Sequence, residues 1–336
     1  MLKKETVQHL IIIVSIILAS LLFVWDFYQY ADRPVDANAK EKILIILPGQ
    51  NITQISTNLQ EIGVITSPIK FKILSRLMRL DKKLKPGEYA VSASMSPNTI
   101  LDKILNGRTI LYRVTVPEGY NLSQISTVIA KSNLRIYNEF YQSASDPVLT
   151  RQLGVDADTF EGYLFPDTYF FSKGVTSRKI IQAMLGRFQS VFTKEWKNQA
   201  KKLGFSIHQI VTLASIIEKE TGVPDERPVI SSVFHNRLKK EMPLESDPTV
   251  IYSINDFDGN ITREHLNEQT PYNTYKISGL PPGPIANPGK KALEAALFPA
   301  DTPYLYFVSK RDRTHKFSTN VEEHNRAVRK YQILRR

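Results

Sequence analysis

An uncharged apolar run near the N-terminus constrains this chain more than any other feature. Residues 10–25 read LIIIVSIILASLLFVW and contain no charged side chain. With the apolar residues on either side, the run approaches the roughly 20 residues that cross a bilayer as a helix. A helix buried in a soluble core would carry a row of polar positions along one side, and no such row occurs here. We therefore expect a transmembrane helix over residues 9–29.

The flanks of this run predict its orientation. Two lysines precede it, and three aromatic residues stand where an interfacial belt would lie: Trp25, Tyr28 and Tyr30. The positive-inside rule then predicts a cytoplasmic tail at residues 1–8 and an extracytoplasmic body after the helix. A cleaved signal peptide is the alternative, but residues 30–32 (YAD) make a poor cleavage site. We expect an uncleaved anchor in the cytoplasmic membrane, with the body on the periplasmic side.

Composition narrows the class of the body. The 336 residues are 42% hydrophobic and 23% charged, which is typical of globular domains and indicates about two of them. The absence of cysteine excludes disulfide scaffolds, thiolate metal sites and a cysteine nucleophile. A net charge of +11 favours anionic partners such as membrane surfaces or acidic polymers. An exported body without a recognised binding motif argues against nucleic acid as a partner.

The body divides into two parts of α+β character. After a polar linker at residues 30–41, the pattern predicts a strand at 42–47, helices at 52–62 and 71–80, and a second strand from about 86. This order of strand, two helices and strand resembles a LysM-like βααβ module, which we place at residues 42–115. A mixed α+β domain follows at residues 116–336. The helix starts at Asn51 and Asn121 share a sequence pattern, which indicates similar N-caps or, alternatively, two glycan-binding units.

The chemistry is concentrated in residues 205–221, FSIHQIVTLASIIEKET. Ser206 and Gln209 form a capping-box pattern that predicts a helix start. The helix is apolar almost all round, so it belongs in a core. On a helical wheel Glu218 continues the buried stripe, whereas Glu220 points to nearly the opposite side and is expected to be solvated. Burial raises the pKa of a carboxyl group, which makes Glu218 a candidate general acid. A structural ion pair at the helix end is the alternative.

Several motifs resemble those of one enzyme family. Residues 213–221 (LASIIEKET) are similar to the catalytic signature of the endolytic murein transglycosylases, single-pass enzymes also called the YceG-like family. The resemblance continues through 161–169 (EGYLFPDTY), 233–238 (VFHNRL), 246–252 (SDPTVIY), 272–275 (YNTY), 279–285 (GLPPGPI) and 317–325. Two positions depart from the family pattern, because Glu245 replaces a usual Gln and Asn320 a usual Thr. Glu245 adds a possible second carboxylate, so the assignment of a single acid stays open.

The resemblance implies a specific reaction. The enzyme would cleave the MurNAc-β-1,4-GlcNAc bond inside peptidoglycan strands without consuming water. Glu218 would protonate the bridging oxygen and then take the proton from the MurNAc C6 hydroxyl as that oxygen closes on C1. The product would be a 1,6-anhydro end. No cofactor and no metal is implied, since His235 and His324 lack a metal-ligand spacing. Peptidoglycan, the membrane and peptidoglycan synthases are the implied partners, with a role in limiting strand length.

The same motifs supply candidate substrate contacts. Carboxylates, amides, hydroxyls and flat aromatic rings suit sugars, although each is individually common in cores and turns. The candidates are Glu161, Tyr163, Asn236, Glu245, Ser246, Asp247, Thr249, Tyr252, Asn273 and Tyr275.

Two other functions remain open at this level. A hydrolase acting on the same glycan would use Glu245 or Asp247 together with Glu218, and it would leave reducing rather than anhydro ends. A non-catalytic glycan-binding scaffold for cell-wall synthases would not need an acid on a buried helix.

Overall fold

The computed structural model describes residues 4–47, 49–79, 84–134, 136–254 and 256–334. The chain separates into two compact units, which are described in turn. The first comprises Met1–Tyr112 and Phe170–Gly174, and the second comprises Arg113–Tyr169 and Val175–Arg336. The division expected between residues 115 and 116 therefore falls slightly earlier, and a short later segment belongs to the first unit.

The first unit has the predicted order of strand, two helices and strand. Its elements are α1 (Lys4–Asp32), β1 (Lys42–Ile46), α2 (Ile52–Glu61), α3 (Pro68–Leu77), β2 (Gly87–Val91) and α4 (Pro97–Leu105). β1 and β2 pair antiparallel, with Leu44 opposite Tyr89. Both of these side chains are buried, so the inward face of the hairpin carries part of the core of this unit.

α3 begins earlier than the helix expected at residues 71–80. Ser67 accepts a hydrogen bond from the backbone of Lys70 and so caps the helix, and Pro68 occupies its first position. Proline is favoured there because its missing N–H would have no partner in the first turn. Residue 80 lies outside the described residues.

α1 extends beyond the predicted membrane segment at both ends. Residues Thr6–Asp32 form a helix long and apolar enough to cross a bilayer. The linker expected at residues 30–41 is therefore wrong at its start, because Tyr30, Ala31 and Asp32 are helical. They stay helical because Phe27, Tyr30 and Ala31 pack against the core of the first unit. The first three residues of the predicted tail lie outside the described residues.

The second unit is mainly helical. β3 (Leu111–Thr115) and β4 (Thr168–Ser172) form a two-stranded sheet. The other elements are α5 (Leu122–Ile129), α6 (Tyr137–Ala144), α7 (Pro147–Gln152), α8 (Ser177–Val191), α9 (Lys194–Lys202), α10 (Ile207–Glu220), α11 (Arg227–Lys239), α12 (Asp247–Tyr252), α13 (Arg263–Asn267), α14 (Lys290–Leu297), β5 (Tyr306–Ser309), β6 (His315–Ser318) and α15 (Val321–Val328).

α10 is the central helix of this unit. Its residues from Ile210 to Ile217 are all buried, and it packs against α11, α12 and α14. The predicted capping box is confirmed, since Ser206 and Gln209 exchange side-chain and backbone hydrogen bonds. The N-caps predicted at Asn51 and Asn121 are confirmed as well. The buried stretch ends at Ile217, and the exit of α10 from the core carries both glutamates of the signature, Glu218 and Glu220.

Candidate active site

Glu220 is the last residue of α10 and lies at an open cleft. It is partly buried, and its carboxylate accepts a short hydrogen bond from the Ser246 hydroxyl. The cleft has a volume of about 530 Å³. Side chains that line it include Glu220, Arg237, Glu245, Asp247, Tyr275, His315 and His324. A second cavity adjoins it and shares Glu220, Ser309 and His315. Glu220 therefore stands where two open spaces meet.

The start of α12 presents Ser246 and Asp247 to this cleft and is held by hydrogen bonds. The Ser246 backbone N–H donates to the Thr274 hydroxyl oxygen at 2.9 Å, and Thr249 and Thr274 share a hydrogen bond of 2.9 Å. The Tyr275 hydroxyl donates to Asp247 at 2.8 Å. The two motifs 246–252 and 272–275 therefore hold each other, and together they place a hydroxyl and a second carboxylate beside Glu220.

Glu245 lies in the same cleft and is paired with a cation. Arg237 donates to its carboxylate at 2.8 Å and to the backbone oxygens of Pro243 and Leu244. The Arg237 side chain is buried, while that of Glu245 is about half exposed. Glu245 has a φ of +53°, a region that non-glycine residues adopt at a cost. The arginine fixes this carboxylate at the edge of the cleft.

The environment of Glu220 shifts its proton affinity. Burial raises the pKa of the Glu220 carboxyl to about 7, and the negative charge of Asp247 adds to the increase. The hydrogen bond from Ser246 opposes it, because a donated hydrogen bond stabilises the charged form. A carboxyl with a pKa near neutrality can release and accept a proton at physiological pH, as a general acid and base must.

Glu218 lies in a different environment, closed rather than open. Its side chain is 6% exposed, and Arg227, 8% exposed, donates to it at 2.7 Å. The backbone N–H of Gly289 donates to its second oxygen at 2.9 Å. Burial raises the pKa of Glu218, while the Gly289 hydrogen bond and the Arg227 charge lower it. Glu218 thus joins the end of α10 to the start of α11 and to the residue before α14.

The helical wheel predicts the burial of Glu218 correctly but not the exposure of Glu220. Glu218 continues the buried stripe as predicted. The prediction that Glu220 is solvated is wrong, because the loop bearing Ser246 covers that side of α10. Periodicity gives the direction of a side chain, and it does not show which distant segment packs there.

Three further candidates make hydrogen bonds that stabilise loops. The Asn236 amide donates to the carbonyl oxygens of Thr302 and Tyr304, at 2.8 and 2.9 Å. The Asn273 amide donates to three carbonyl oxygens, the shortest bond being 2.7 Å to Glu268. Thr249 is fully buried and donates to the backbone oxygen of Ser246. These side chains therefore stabilise the backbone of the second unit.

Glu161 is the centre of a second buried cluster. Its carboxylate accepts hydrogen bonds from the Asn287 amide at 2.8 Å, the Leu122 backbone at 3.1 Å and the Tyr252 hydroxyl at 3.3 Å. Burial raises the pKa of Glu161 to about 7 against these hydrogen bonds. Asn287 also donates to the Tyr120 carbonyl and accepts from the Leu164 backbone. The cluster ties four separate chain segments together, at residues 120–122, 161–164, 252 and 287.

Tyr163 is buried as well. Its hydroxyl is 3.0 Å from His208 Nδ1, and its ring meets Phe188 edge-on.

Of the predicted substrate contacts, the structure brings Glu245, Asp247 and Tyr275 to the Glu220 cleft together with the Ser246 hydroxyl. The other predicted contacts are engaged in internal hydrogen bonds. In the part of the chain that the structure describes, no three His, Asp or Glu side chains converge as a metal site requires.

The comparisons with known proteins agree on one family. The model of the YceG-like family matches residues 44–330. The endolytic murein transglycosylase of Bacillus subtilis (strain 168) is 36% identical over 316 residues, which cover 89% of this chain and 87% of that protein. The endolytic murein transglycosylase of Streptococcus pneumoniae (strain D39) is 29% identical over 97% of this chain, which spans 65% of that longer protein.

A solved structure supports the fold. The crystal structure of a YceG-like protein from Listeria monocytogenes aligns with a TM-score of 0.60 and 33% identity. The alignment covers 86% of this chain and 99% of the Listeria chain.

Proposed function

We propose that this chain, which belongs to the YceG-like family, is a murein transglycosylase that cuts peptidoglycan strands internally. The observation that supports this most directly is Glu220 in its cleft. Its carboxyl has a pKa of about 7, opens onto two adjoining cavities and is positioned by Ser246. The relatives named as endolytic murein transglycosylases support the same substrate class.

The reaction requires one group that acts first as an acid and then as a base. Protonated Glu220 gives its proton to the oxygen that bridges MurNAc and GlcNAc, and the bond from that oxygen to MurNAc C1 breaks. The Glu220 carboxylate then takes the proton of the MurNAc C6 hydroxyl, whose oxygen bonds to C1. The sugar ring closes as a 1,6-anhydro end, no water enters, and Glu220 regains its proton.

We assign this role to Glu220 rather than to Glu218, which the sequence favours. Glu218 already accepts hydrogen bonds from Arg227 and Gly289, and its side chain is almost fully enclosed. A glycosidic oxygen would have to displace one of these donors to receive its proton. Glu220 accepts one side-chain hydrogen bond, from Ser246 to Oε1, and its side chain also lines the cleft, so a glycosidic oxygen can approach it without entering a buried ion pair. Glu218 then serves to hold the end of α10 in place.

A hydrolase is the second candidate, and one observation favours it. Asp247 and Glu245 line the cleft with Glu220, so a second carboxylate is available to activate a water molecule. Glu245 is neutralised by Arg237 and Asp247 is engaged by Tyr275. Because both carboxylates are held by these partners, they are better suited to positioning the substrate than to activating a water molecule.

Mass spectrometry of digested peptidoglycan separates these possibilities. The full-length chain is incubated with purified peptidoglycan beside its Glu220→Gln and Glu218→Gln variants, which preserve side-chain shape. We expect anhydro ends from the parent and from the folded Glu218→Gln protein, and none from Glu220→Gln. If Glu220→Gln still forms anhydro ends and a folded Glu218→Gln protein does not, Glu218 is the catalytic acid instead.

Two other results would change the function itself. Reducing ends from the parent would identify a hydrolase. An absence of new ends from the parent, with glycan binding retained, would identify a binding scaffold.

The proposal also covers where the protein lies in the cell and which proteins it works with. The apolar helix Thr6–Asp32 supports a single-pass anchor in the cytoplasmic membrane, with the N-terminus inside and both units outside. The order of β1, α2, α3 and β2 supports a LysM-like module in the first unit. We further propose that strand cleavage next to the membrane limits the length of new glycan strands, in cooperation with peptidoglycan synthases.

A further inference from the structure

We propose that the outer face of α3 lies against the anionic surface of the membrane, beside the point where the anchor leaves it. This inference rests on the proposed anchor and concerns the first unit alone. It describes a second membrane contact, separate from the spanning helix. The surface, here called the α3 stripe, consists of Ile69, Ile73 and Leu77 with Lys72 and Arg76 along its edge.

The α3 stripe is apolar but faces solvent. Ile69 is 73% exposed and Leu77 is 69% exposed, while Ile73 between them is partly exposed. Residues spaced by four lie on one side of a helix, so these three side chains form one continuous row. α3 already buries its other side through Phe71 and Leu74. The helix therefore has two apolar rows, one that packs in the core and one that is exposed to solvent.

The charge on α3 is of one sign. The helix contains Lys70, Lys72 and Arg76 and no acidic residue. Lys72 follows Ile69 by three positions and Arg76 follows Ile73 by three, so both lie beside the apolar row on the helix surface. Exposed apolar side chains bordered by cations are the pattern of helices that lie in the headgroup region of anionic bilayers. Such a surface attracts basic segments next to a membrane helix.

Contacts with α1 place α3 at the depth where the anchor leaves the membrane. Asp26 is the first charged residue after the apolar run, and Lys70 pairs with it at 2.5 Å. The Tyr30 hydroxyl donates to the Ser67 backbone at 2.8 Å, and Lys70 lies 5.5 Å from the centre of the Tyr30 ring. Tyr30 is one helical turn beyond Asp26, which is about 6 Å along the axis. The start of α3 is thus fixed within the depth of a headgroup layer, roughly 5–8 Å.

The chain offers a clean test because it contains no cysteine. Single cysteines carrying an environment-sensitive fluorophore are introduced into the full-length protein by Ile69→Cys and Leu77→Cys. Ile43→Cys is the matched control, since Ile43 is an exposed isoleucine on β1 of the same unit. Ile17→Cys, within the apolar run, reports insertion of the anchor. Each protein is reconstituted at one copy and, separately, at two copies per lipid nanodisc, with and without anionic lipid.

We expect the labels at positions 69 and 77 to be protected from aqueous iodide in anionic discs. Their quenching should be several-fold weaker than at position 43, with emission shifted to the blue. The double change Lys72→Glu with Arg76→Glu, made beside each label, should remove this protection. Unchanged thermal unfolding of each variant shows that the unit remains folded.

Other outcomes would overturn the proposal. Labels at 69 and 77 that are quenched as strongly as the label at 43, while 17 is protected, would exclude the α3 contact and leave the anchor in place. An accessible label at 17 would exclude the anchor and the α3 contact together. Protection that survives charge reversal would exclude an anionic surface as the occupant. Protection that appears only when two copies share a disc would identify a second chain instead.

Discussion

The hydroxyl of Ser246 donates a hydrogen bond to the carboxylate of Glu220, although the two residues are 26 positions apart. This bond connects the last residue of α10 to the loop before α12. It stabilises the charged form of Glu220, while burial and Asp247 stabilise the protonated form. The proton affinity of Glu220 is therefore set by a balance of three influences, two of which can be changed one at a time by mutation.

The first prediction concerns which glutamate carries the proton. Glu220→Gln removes the proton donor without changing its shape, and we expect the rate of anhydro-end formation to fall about 10²- to 10⁴-fold, the range for loss of general acid–base catalysis. The release of anhydro ends from purified peptidoglycan, followed over time, measures this rate. A Glu220→Gln protein that retains more than a tenth of the parental rate would contradict the assignment.

The second prediction gives Glu218 a structural role. Glu218→Gln leaves the buried Arg227 with only a longer 3.9 Å contact to the half-exposed Glu118. We therefore expect the free energy of unfolding to fall by about 3 kcal/mol, as for other broken buried ion pairs. Chemical denaturation monitored by circular dichroism measures the change. Among molecules that remain folded, the rate of cleavage should stay within a few-fold of the parent. A large loss of rate at unchanged stability would argue that Glu218 takes part in the chemistry.

The third prediction concerns pH. Because Glu220 must be protonated to act as the acid, kcat/KM should fall as the pH rises through about 7. Ser246→Ala removes a donor to the carboxylate and so should raise the pKa of Glu220, moving this decline to higher pH. Asp247→Asn removes a negative charge and should move it to lower pH. Displacement in the same direction by both variants would show that a different group controls the profile.

Sequence reasoning located α10 because its evidence is local. The run from Ile210 to Ile217 predicts a buried helix, and the pair Ser206 and Gln209 predicts its start, which the structure confirms. The same reasoning gave the wrong exposure for Glu220, because its cover comes from a loop that includes Ser246. No periodic pattern within the helix reports a partner at that separation.

One signal in the sequence bears on the choice between the glutamates. Arg227 follows Glu218 by nine positions, across a short turn, and could have been considered as its ion-pair partner. A carboxylate with such a partner is held in place, so Glu220, the other glutamate of the motif, becomes the candidate for proton transfer in the cleft. The residues Asn236, Asn273 and Thr249 carried no comparable signal, because an amide or hydroxyl that supports a loop has the same sequence pattern as one that binds sugar.

The fourth prediction separates a structural role of Glu161 from substrate binding. Glu161→Ala removes an acceptor from the Leu122 N–H, from the Tyr252 hydroxyl and from the Asn287 amide, which keeps its hydrogen bond to Tyr120. Unsatisfied buried donors cost about 1–3 kcal/mol each, so we expect the free energy of unfolding to fall by about 3 kcal/mol or more. The exposed Glu264 is the control, and its change to alanine should cost under about 0.5 kcal/mol. Unchanged stability in Glu161→Ala, with a raised KM, would instead indicate a glycan contact.

The fifth prediction explains the glycine in the motif at residues 161–169. Gly162 has a φ of +85°, and an added Cβ would lie 2.5 Å from Pro284 Cγ and 2.7 Å from Val211 Cγ1. Val211 belongs to α10 and Pro284 to the loop that follows motif 272–275, so neither can move without disturbing the unit. Gly162→Ala should therefore combine backbone strain with overpacking, at about 3 kcal/mol in the free energy of unfolding.

Gly154 provides the matched control for that experiment. Its φ of +82° is nearly the same, but nothing lies within 4 Å of an added Cβ. Gly154→Ala should show the backbone strain alone, about 1–2 kcal/mol. Denaturant unfolding of the two variants side by side isolates the contribution of close packing between the 161–169 segment and α10. Equal losses of stability would show that this packing does not require glycine at position 162.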